Sequence, residues 1–176
     1  MKKGGGRGKG NGFERDTAKT VVKAFKHFHI SGKDCYRTPS SGGHKYAKQS
    51  DPGDLVISKK LRELFPFVCE CKSYNRVDLF KLYTPLEDHP KSSQFKQWLA
   101  QACAACNGSK KMYPMLIFKQ NSSLVLCAIP AIYPLVANMS RRNYTRLKMK
   151  YRDEDWYVVR FDQLLKQLVR EAKRNA

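Results

Sequence analysis

The stretch FPFVCECKSY, residues 65–74, combines the pattern of a buried β-strand with two opposite charges. Successive side chains of a strand point to opposite faces, so Phe67 and Cys71 share one face while Glu70 and Lys72 share the other. The first face is apolar and predicts a contact with a core. The charged face has two explanations: an ion pair that points to solvent, or a site whose chemistry requires both charges.

A further acid stands just upstream of this strand. Asp54 opens the apolar run DLVIS, residues 54–58, sixteen residues before Glu70. Two adjacent strands would bring Asp54 and Glu70 to the same edge, where paired carboxylates repel each other unless a cation lies between them. Mg²⁺ prefers one or two carboxylates together with water and phosphate oxygens. Lys72 could then face a metal-bound water or a scissile phosphate, a charge layout that suits phosphodiester cleavage.

The overall charge indicates the kind of partner. The 176 residues include 34 Lys and Arg against 15 Asp and Glu, for a net charge of +19. Such a surface attracts polyanions, so nucleic acid is the expected partner. A basic protein without a specific ligand is the alternative. An anionic membrane is a poorer match, since no basic amphipathic helix stands out and no apolar stretch approaches the ~20 residues of a membrane span.

The sequence predicts a basic arm followed by a single domain. Residues 1–12, MKKGGGRGKGNG, are rich in glycine and are expected to form a flexible arm, with the domain over 13–176. Residues 13–28 show helical periodicity, and Glu14 falls on or beside the apolar stripe of that helix. Glu14 is therefore either a carboxylate aimed at a site or an acid in the first turn, which the helix dipole favours.

The remaining pattern predicts alternating strands and helices. Strands are expected over 35–37, from 54, over 65–72, 115–119, 124–129 and 157–160, with further pairing over 78–83; helices are expected at 59–64 (a brief helix or a turn), over 93–107 and from a cap at Asp162. Helix, strands, helix, strands, helix is typical of one mixed α/β layer structure.

A basic run near the C-terminus has the composition of a binding surface. The run SRRNYTRLKMKYR, residues 140–152, interleaves cations such as Arg141 and Arg142 with tyrosines. Cations for phosphates and rings for bases favour a nucleic-acid surface, although a solvated helix or loop face explains the run equally well.

Six cysteines raise the question of a zinc site. Cys69 and Cys71 stand two apart on a strand, too far apart for two bonds of ~2.3 Å to one ion. Cys103 and Cys106 lie on the apolar face of a predicted helix, where thiols pack as small hydrophobes. We therefore expect no zinc. Disulfides are also not expected, because the N-terminus has no secretory signal and the protein is interpreted as intracellular.

The sequence resembles the PD-(D/E)XK nuclease superfamily. The resemblance rests first on Asp54 in PGDLVIS and on Glu70-Cys71-Lys72 in FPFVCECKSY. GFERDTAKTVVKAF, with Glu14, looks like the first helix of that superfamily. RTPSSGG, with Arg37 and Ser41, is similar to a loop of archaeal-type Holliday junction resolvases.

A last segment resembles the phage endonucleases of the superfamily. FKQWLAQACAACNGSKKMYPMLIFKQN places Gln101 on a helix and Lys119 at the end of a strand, as in those proteins. The resemblance covers roughly residues 12–129. It implies a restriction-endonuclease-like α/β fold, with a mixed central β-sheet flanked by helices and a core of helix, three-stranded meander, helix and further strand.

The resemblance also implies an activity and roles for individual residues. The implied activity is a Mg²⁺-dependent DNA endonuclease, with Mn²⁺ as a substitute, and a homodimer if the substrate is a Holliday junction. The implied roles are metal ligation by Asp54, Glu70 and the backbone carbonyl of Cys71, activation of water by Lys72, a second metal or its water at Glu14, and DNA contacts by Arg37, Ser41, Gln101 and Lys119. The implied location is the cytoplasm of a bacterial host cell, with the gene carried by a phage. A non-catalytic basic nucleic-acid-binding protein is the alternative function.

Overall fold

A computed structural model describes residues 5–39, 53–74, 94–107, 111–120, 123–134 and 146–175. The helices are α1 (Gly5–Phe25), α2 (Lys59–Arg62), α3 (Gln94–Cys106) and α4 (Phe161–Arg174), and a 3₁₀ turn (Lys26–Phe28) follows α1. The strands are β1 (Cys35–Arg37), β2 (Leu55–Ile57), β3 (Phe67–Tyr74), β4 (Tyr113–Gln120), β5 (Leu126–Pro130), β6 (Arg146–Tyr151) and β7 (Glu154–Arg160).

A mixed five-stranded sheet forms the centre of the described structure, in the order β3-β4-β5-β7-β6. Strands β3 and β4 are parallel, and the other neighbours in this sheet are antiparallel. A parallel pair requires a crossover connection, and α3 lies in the connection between β3 and β4. Strands β1 and β2 form a separate antiparallel pair. The structure therefore confirms the predicted α/β class, with a restriction-endonuclease-like arrangement of sheet and helices.

Two hydrophobic cores lie on the two faces of this sheet. One is built by residues of α1 and α4 against β3, β4 and β5, and it includes Phe25, Phe67 and Leu164. The other is built by residues of α3 against β4 to β7 and includes Trp98 and Trp156. Full burial of such a side chain contributes about 1.5–3 kcal/mol, so both faces of the sheet contribute to stability.

The predicted start of the first helix is too late. Helix α1 begins at Gly5, so residues 5–12 are helical rather than an unstructured arm, while residues 1–4 lie outside the described part. Asn11 in this added segment accepts a hydrogen bond from Arg37 Nη2 at 3.0 Å. That tertiary contact stabilises the helical segment over residues 5–12, whose glycines disfavour a helix by about 1 kcal/mol each relative to alanine.

Two expectations for the C-terminal third are also corrected. The cap position of α4 is Arg160, not Asp162, which lies in the first turn and pairs with Arg160 at 2.9 Å. Part of the basic run over 140–152 is strand β6, an edge strand paired with β7, rather than a helix or loop. Met149 and Tyr151 of β6 are buried, while Lys148 and Lys150 are exposed.

Three predictions concern residues that the structure does not describe. Arg141 and Arg142 of the basic run, and the pairing predicted over 78–83, lie outside the described residues, as does Ser41.

Among the described residues, no helix is both long and apolar enough to cross a membrane. All six cysteines are free thiols.

Candidate active site

The charged face of β3 carries an ion pair that is largely shielded from solvent. Lys72 Nζ lies 2.5 Å from Glu70 Oε1, and the two side chains are only 24% and 13% exposed. Exposed ion pairs hold their charges in water at little cost, whereas a shielded pair must compensate for lost hydration. The solvent-facing explanation for these two charges therefore fits the structure poorly.

Asp54 is attached to the edge of β3 opposite β4 by two hydrogen bonds that flank Glu70. The Asp54 N–H donates to the Cys69 carbonyl at 2.8 Å, and Asp54 Oδ2 accepts from the Cys71 N–H at 2.8 Å. Because the N–H and C=O of one strand residue point to the same side, the Cys71 carbonyl also faces this edge. Asp54 and Glu70 thus meet at one edge, as the sequence predicted, although β2 and β3 do not form a continuous ladder.

Gly53 permits this close approach of the chain to β3. It has φ +86°, a conformation that L side chains rarely adopt, and a Cβ built there would lie 2.6 Å from the Cys69 carbonyl oxygen. Thr38 supports the same turn, since its hydroxyl donates to the Gly53 carbonyl at 2.9 Å. Gly53 is therefore a positioning residue for Asp54, a role suggested only by the turn chemistry of the Asp-Pro-Gly sequence.

Glu14 is a buried acid on the face of α1 that packs against the sheet. It is 7% exposed, and Arg37 Nε donates to its Oε2 at 2.5 Å. Since α1 begins at Gly5, Glu14 is not in the first turn, so the helix-dipole explanation for this acid is wrong. Arg37, expected to contact DNA, is thus also the ion-pair partner of a buried carboxylate.

The acids share one electrostatic environment. Burial raises the pKa of Asp54 to about 7, and the negative charges of Glu70 and Glu14 act in the same direction. The Cys71 N–H and the Lys72 ammonium oppose this rise in pKa. Asp54 therefore lies within electrostatic reach of every other residue in the proposed catalytic set, in a region with excess negative charge.

This donor set suits a hard divalent cation. The carboxylates of Asp54 and Glu70 and the Cys71 carbonyl are all oxygen donors, which Mg²⁺ and Mn²⁺ prefer. No three Asp, Glu, His or Cys side chains among the described residues already stand together as a metal-binding group. The lysine and arginine partners, Lys72 and Arg37, instead balance two of the acids.

The structure describes only some of the other residues that were predicted to contact DNA. Lys119 Nζ lies 4.9 Å from the centroid of the Phe13 ring, beside Glu14 in sequence. Gln101 is exposed on α3, and no described hydrogen bond joins it to the acids. Ser41, Arg141 and Arg142 belong to the parts of the chain without a description, so their roles stay predictions.

Comparison with known proteins identifies the family. Residues 5–174 match the model of the family described as "Phage putative PDDEXK endonuclease". The chain belongs to this family. The match extends past residue 129, where the resemblance in sequence ends, through β7 and to the last residue of α4. No curated protein and no solved structure matches the chain significantly.

Family membership makes the coarse function clear. A PDDEXK endonuclease acts on DNA as a nuclease, and such nucleases generally use divalent metal ions. In this chain the shielded charges of β3 and the carboxylate of Asp54 lie near one another.

Proposed function

We propose that this protein is a Mg²⁺-dependent DNA endonuclease whose centre is formed by Asp54, Glu70 and Lys72 at the edge of β3 opposite β4. The observation that carries the proposal is the attachment of Asp54 to the backbone on both sides of Glu70. That attachment joins two acids and a lysine from separate segments in a partly shielded site. The net charge of +19 over the whole chain supplies the attraction for DNA.

Three oxygen donors of this edge would hold the metal. They are the carboxylates of Asp54 and Glu70 and the carbonyl of Cys71, and Mn²⁺ is expected to substitute for Mg²⁺. When bound, the ion polarises a water and offsets charge on the scissile phosphate. The raised pKa of Asp54 supports this assignment, because a bound cation would offset both the burial and the repulsion from Glu70 that raise this pKa.

Lys72 would orient the attacking water and balance charge that develops on the phosphate. Its ammonium now contacts Glu70, so it can reach the same edge as the acids. Glu14 would position a second ion or its water, and Arg37 holds Glu14 in place. Arg37, Ser41, Gln101 and Lys119 are proposed to contact DNA phosphates, together with Arg141 and Arg142.

A Holliday junction is the proposed natural substrate. The support is the RTPSSGG stretch, residues 37–43, which is similar to a loop of archaeal-type junction resolvases. Resolution of a junction requires two symmetric cuts, so a homodimer is proposed with it. The proposed place of action is the cytoplasm of a bacterial host.

One assay tests both the activity and the substrate. The protein is incubated with plasmid, single-stranded and four-way-junction DNA, each with Mg²⁺, Mn²⁺ or EDTA. We expect cutting only with a divalent ion, fastest on the junction, and loss of cutting with retained DNA binding for Glu70→Gln. Equal rates on all three substrates would remove the junction proposal and leave the endonuclease.

A non-catalytic DNA-binding module is the second candidate. The pairing of Glu70 with Lys72 and of Glu14 with Arg37 favours it, because these acids already have cationic partners. Binding to all three DNAs without cutting under any metal condition would support this candidate and overturn the enzyme.

A further inference from the structure

A groove between α1 and β1 has features of a binding site for unpaired DNA. It has a volume of about 360 Å³. Its floor is apolar and includes Ala18, Val22 and Cys35, while basic residues of α1 line its side. A groove of this volume and lining can hold part of a flexible, negatively charged chain.

The basic side of the groove is a regular ladder. Arg15, Lys19 and Lys23 are four residues apart on α1 and all are exposed. None of them forms an ion pair with a carboxylate of the described chain. Four helical residues advance about 6 Å, so the three cations of the ladder span about 12 Å along α1, and each of them can contact a phosphate of one short strand.

The lining of the groove also includes an exposed aromatic residue. Tyr36 of β1 lines the groove beside the α1 cations and is 44% exposed. A surface aromatic beside a row of cations is the arrangement that binds single strands, since bases stack on the ring and phosphates contact the cations.

The groove leads to the candidate active site. Arg37 lines it and donates to Glu14 at 2.5 Å. A strand that lies along α1 therefore reaches the arginine that holds the buried acid. Thus the groove and the acids are joined by one side chain.

We infer that this groove, lined by Arg15, Lys19, Lys23 and Tyr36, binds a short stretch of unpaired nucleotides of the DNA strand adjacent to the cut. The inference rests on the proposed function only in taking the bound strand to be the one that is cleaved. It gives the protein a preference for DNA in which unpaired nucleotides border a duplex, such as a branch point or a flap.

Binding without cleavage tests the groove separately from the chemistry. Fluorescence anisotropy in EDTA compares a labelled duplex carrying about six unpaired thymidines with the same duplex fully paired. We expect the wild-type protein to bind the tailed duplex at least about tenfold more tightly. Because no metal is present, this preference is measured whether or not the protein cuts DNA.

Matched variants assign the preference to its parts. The triple change Arg15→Gln, Lys19→Gln and Lys23→Gln should abolish the preference and reduce the salt slope on the tail by about 2. The control Lys59→Gln, Lys150→Gln and Lys173→Gln removes the same charge from exposed positions on other elements. It should weaken both DNAs equally and keep the preference.

The ring is tested without a change of charge. Tyr36→Ala should weaken binding of the tailed duplex by at least about fivefold with an unchanged salt slope, and Tyr36→Phe should restore it, because stacking needs only the ring. The inference is overturned if the wild type shows no preference, if the control triple loses the preference as fully as the α1 triple, or if the phenylalanine variant binds as weakly as the alanine variant. Loss of cutting with an intact preference would instead overturn the proposed enzyme and keep the groove.

Discussion

Helices α1 and α4 contribute to the same hydrophobic core, but they bury different kinds of side chain. The buried residues of α4 are Phe161, Leu164, Leu165 and Leu168, all apolar. Helix α1 buries Phe25 and Val21 but also Glu14 and Thr17. The Thr17 hydroxyl donates to the Phe13 carbonyl within its own helix, whereas Glu14 requires Arg37 from β1.

This difference indicates which buried side chains serve the chemistry at a cost in the free energy of unfolding. A buried carboxylate that needs an arginine partner stabilises a fold less than a leucine of similar size, so its presence in α1 indicates a use. Strand β3 shows the same contrast between its apolar face and the shielded pair of Glu70 and Lys72. The regions with buried charge should thus control activity, and the regions with buried leucine should control stability.

The largest expected effect is on activity. Lys72→Ala should reduce the cleavage rate by about 10²–10⁴-fold, because the group that orients the attacking water is lost. Mg²⁺ binding, followed by calorimetry, should persist, since the oxygen donors remain. The control is Lys166→Ala on α4, a 71% exposed lysine, which should cut at the normal rate. Cutting at the wild-type rate by Lys72→Ala would contradict the assigned role.

The next effect is on stability. Leu164→Ala should lower the free energy of unfolding by about 2–5 kcal/mol, because it leaves a cavity at a fully buried position of α4. Urea unfolding measures the change, and the cleavage rate per folded molecule should stay the same. The matched change Leu124→Ala, at a leucine that is 58% exposed, should alter stability by less than about 0.5 kcal/mol. Equal losses of unfolding free energy in the two variants would contradict the expected difference between a buried and an exposed leucine.

Replacement by alanine should have opposite effects at two glycines, Gly53 beside the candidate site and Gly12 in α1. Gly53→Ala should cost about 1–3 kcal/mol, because its Cβ would meet the Cys69 carbonyl and its φ is positive. It should also reduce cleavage, since Asp54 is displaced from β3. Gly12→Ala in α1 has open space around the added Cβ and should instead stabilise the helix by about 0.5–1 kcal/mol. Thermal unfolding and a cleavage assay on both variants distinguish the two glycines.

The smallest effect is a pH dependence of the metal-free protein. The folded-state pKa of Asp54, about 7, lies above its ordinary value of 3.8, so folding favours the protonated acid. This stabilisation is fully present below about pH 4 and is lost as the pH rises through about 7. The wild type should therefore lose on the order of 1–3 kcal/mol over that range relative to Asp54→Asn.

Urea unfolding in EDTA at pH 5 and pH 8 measures this pH dependence. Adding Mg²⁺ at pH 8 should restore stability to the wild type but not to Asp54→Asn, because a ligand of the folded state stabilises it by mass action. Identical pH profiles for the two proteins would show that Asp54 is not destabilised by its surroundings.

Sequence patterns predicted the elements best where one periodicity dominates. The alternation over 65–74 predicted β3, and the apolar spacing over 93–107 predicted α3 to within one residue at either end. Strand β6 was missed although RLKMKY alternates with period two, because its many cations favoured a binding surface over a strand. The early start of α1 was missed because its tie to Arg37 connects residues 26 positions apart.

The candidate site was predicted in part for the same reason. Glu70 and Lys72 share a face by local alternation alone, so their proximity follows from two-residue spacing. The Arg37 partner of Glu14 and the positioning role of Gly53 follow from contacts between separate segments. No local pattern reports such contacts.

The sequence alone specified the net charge of +19, the α/β order of the elements and the acids and lysine that we propose for the site. These depend on composition and on spacing along the chain. Only the tertiary structure decided that Asp54 is attached to β3 on both sides of Glu70 and that Glu14 is buried against Arg37. The reason is that segments far apart in sequence meet through the turn at Gly53 and through packing against one sheet, and the geometry of such meetings is set by the whole fold.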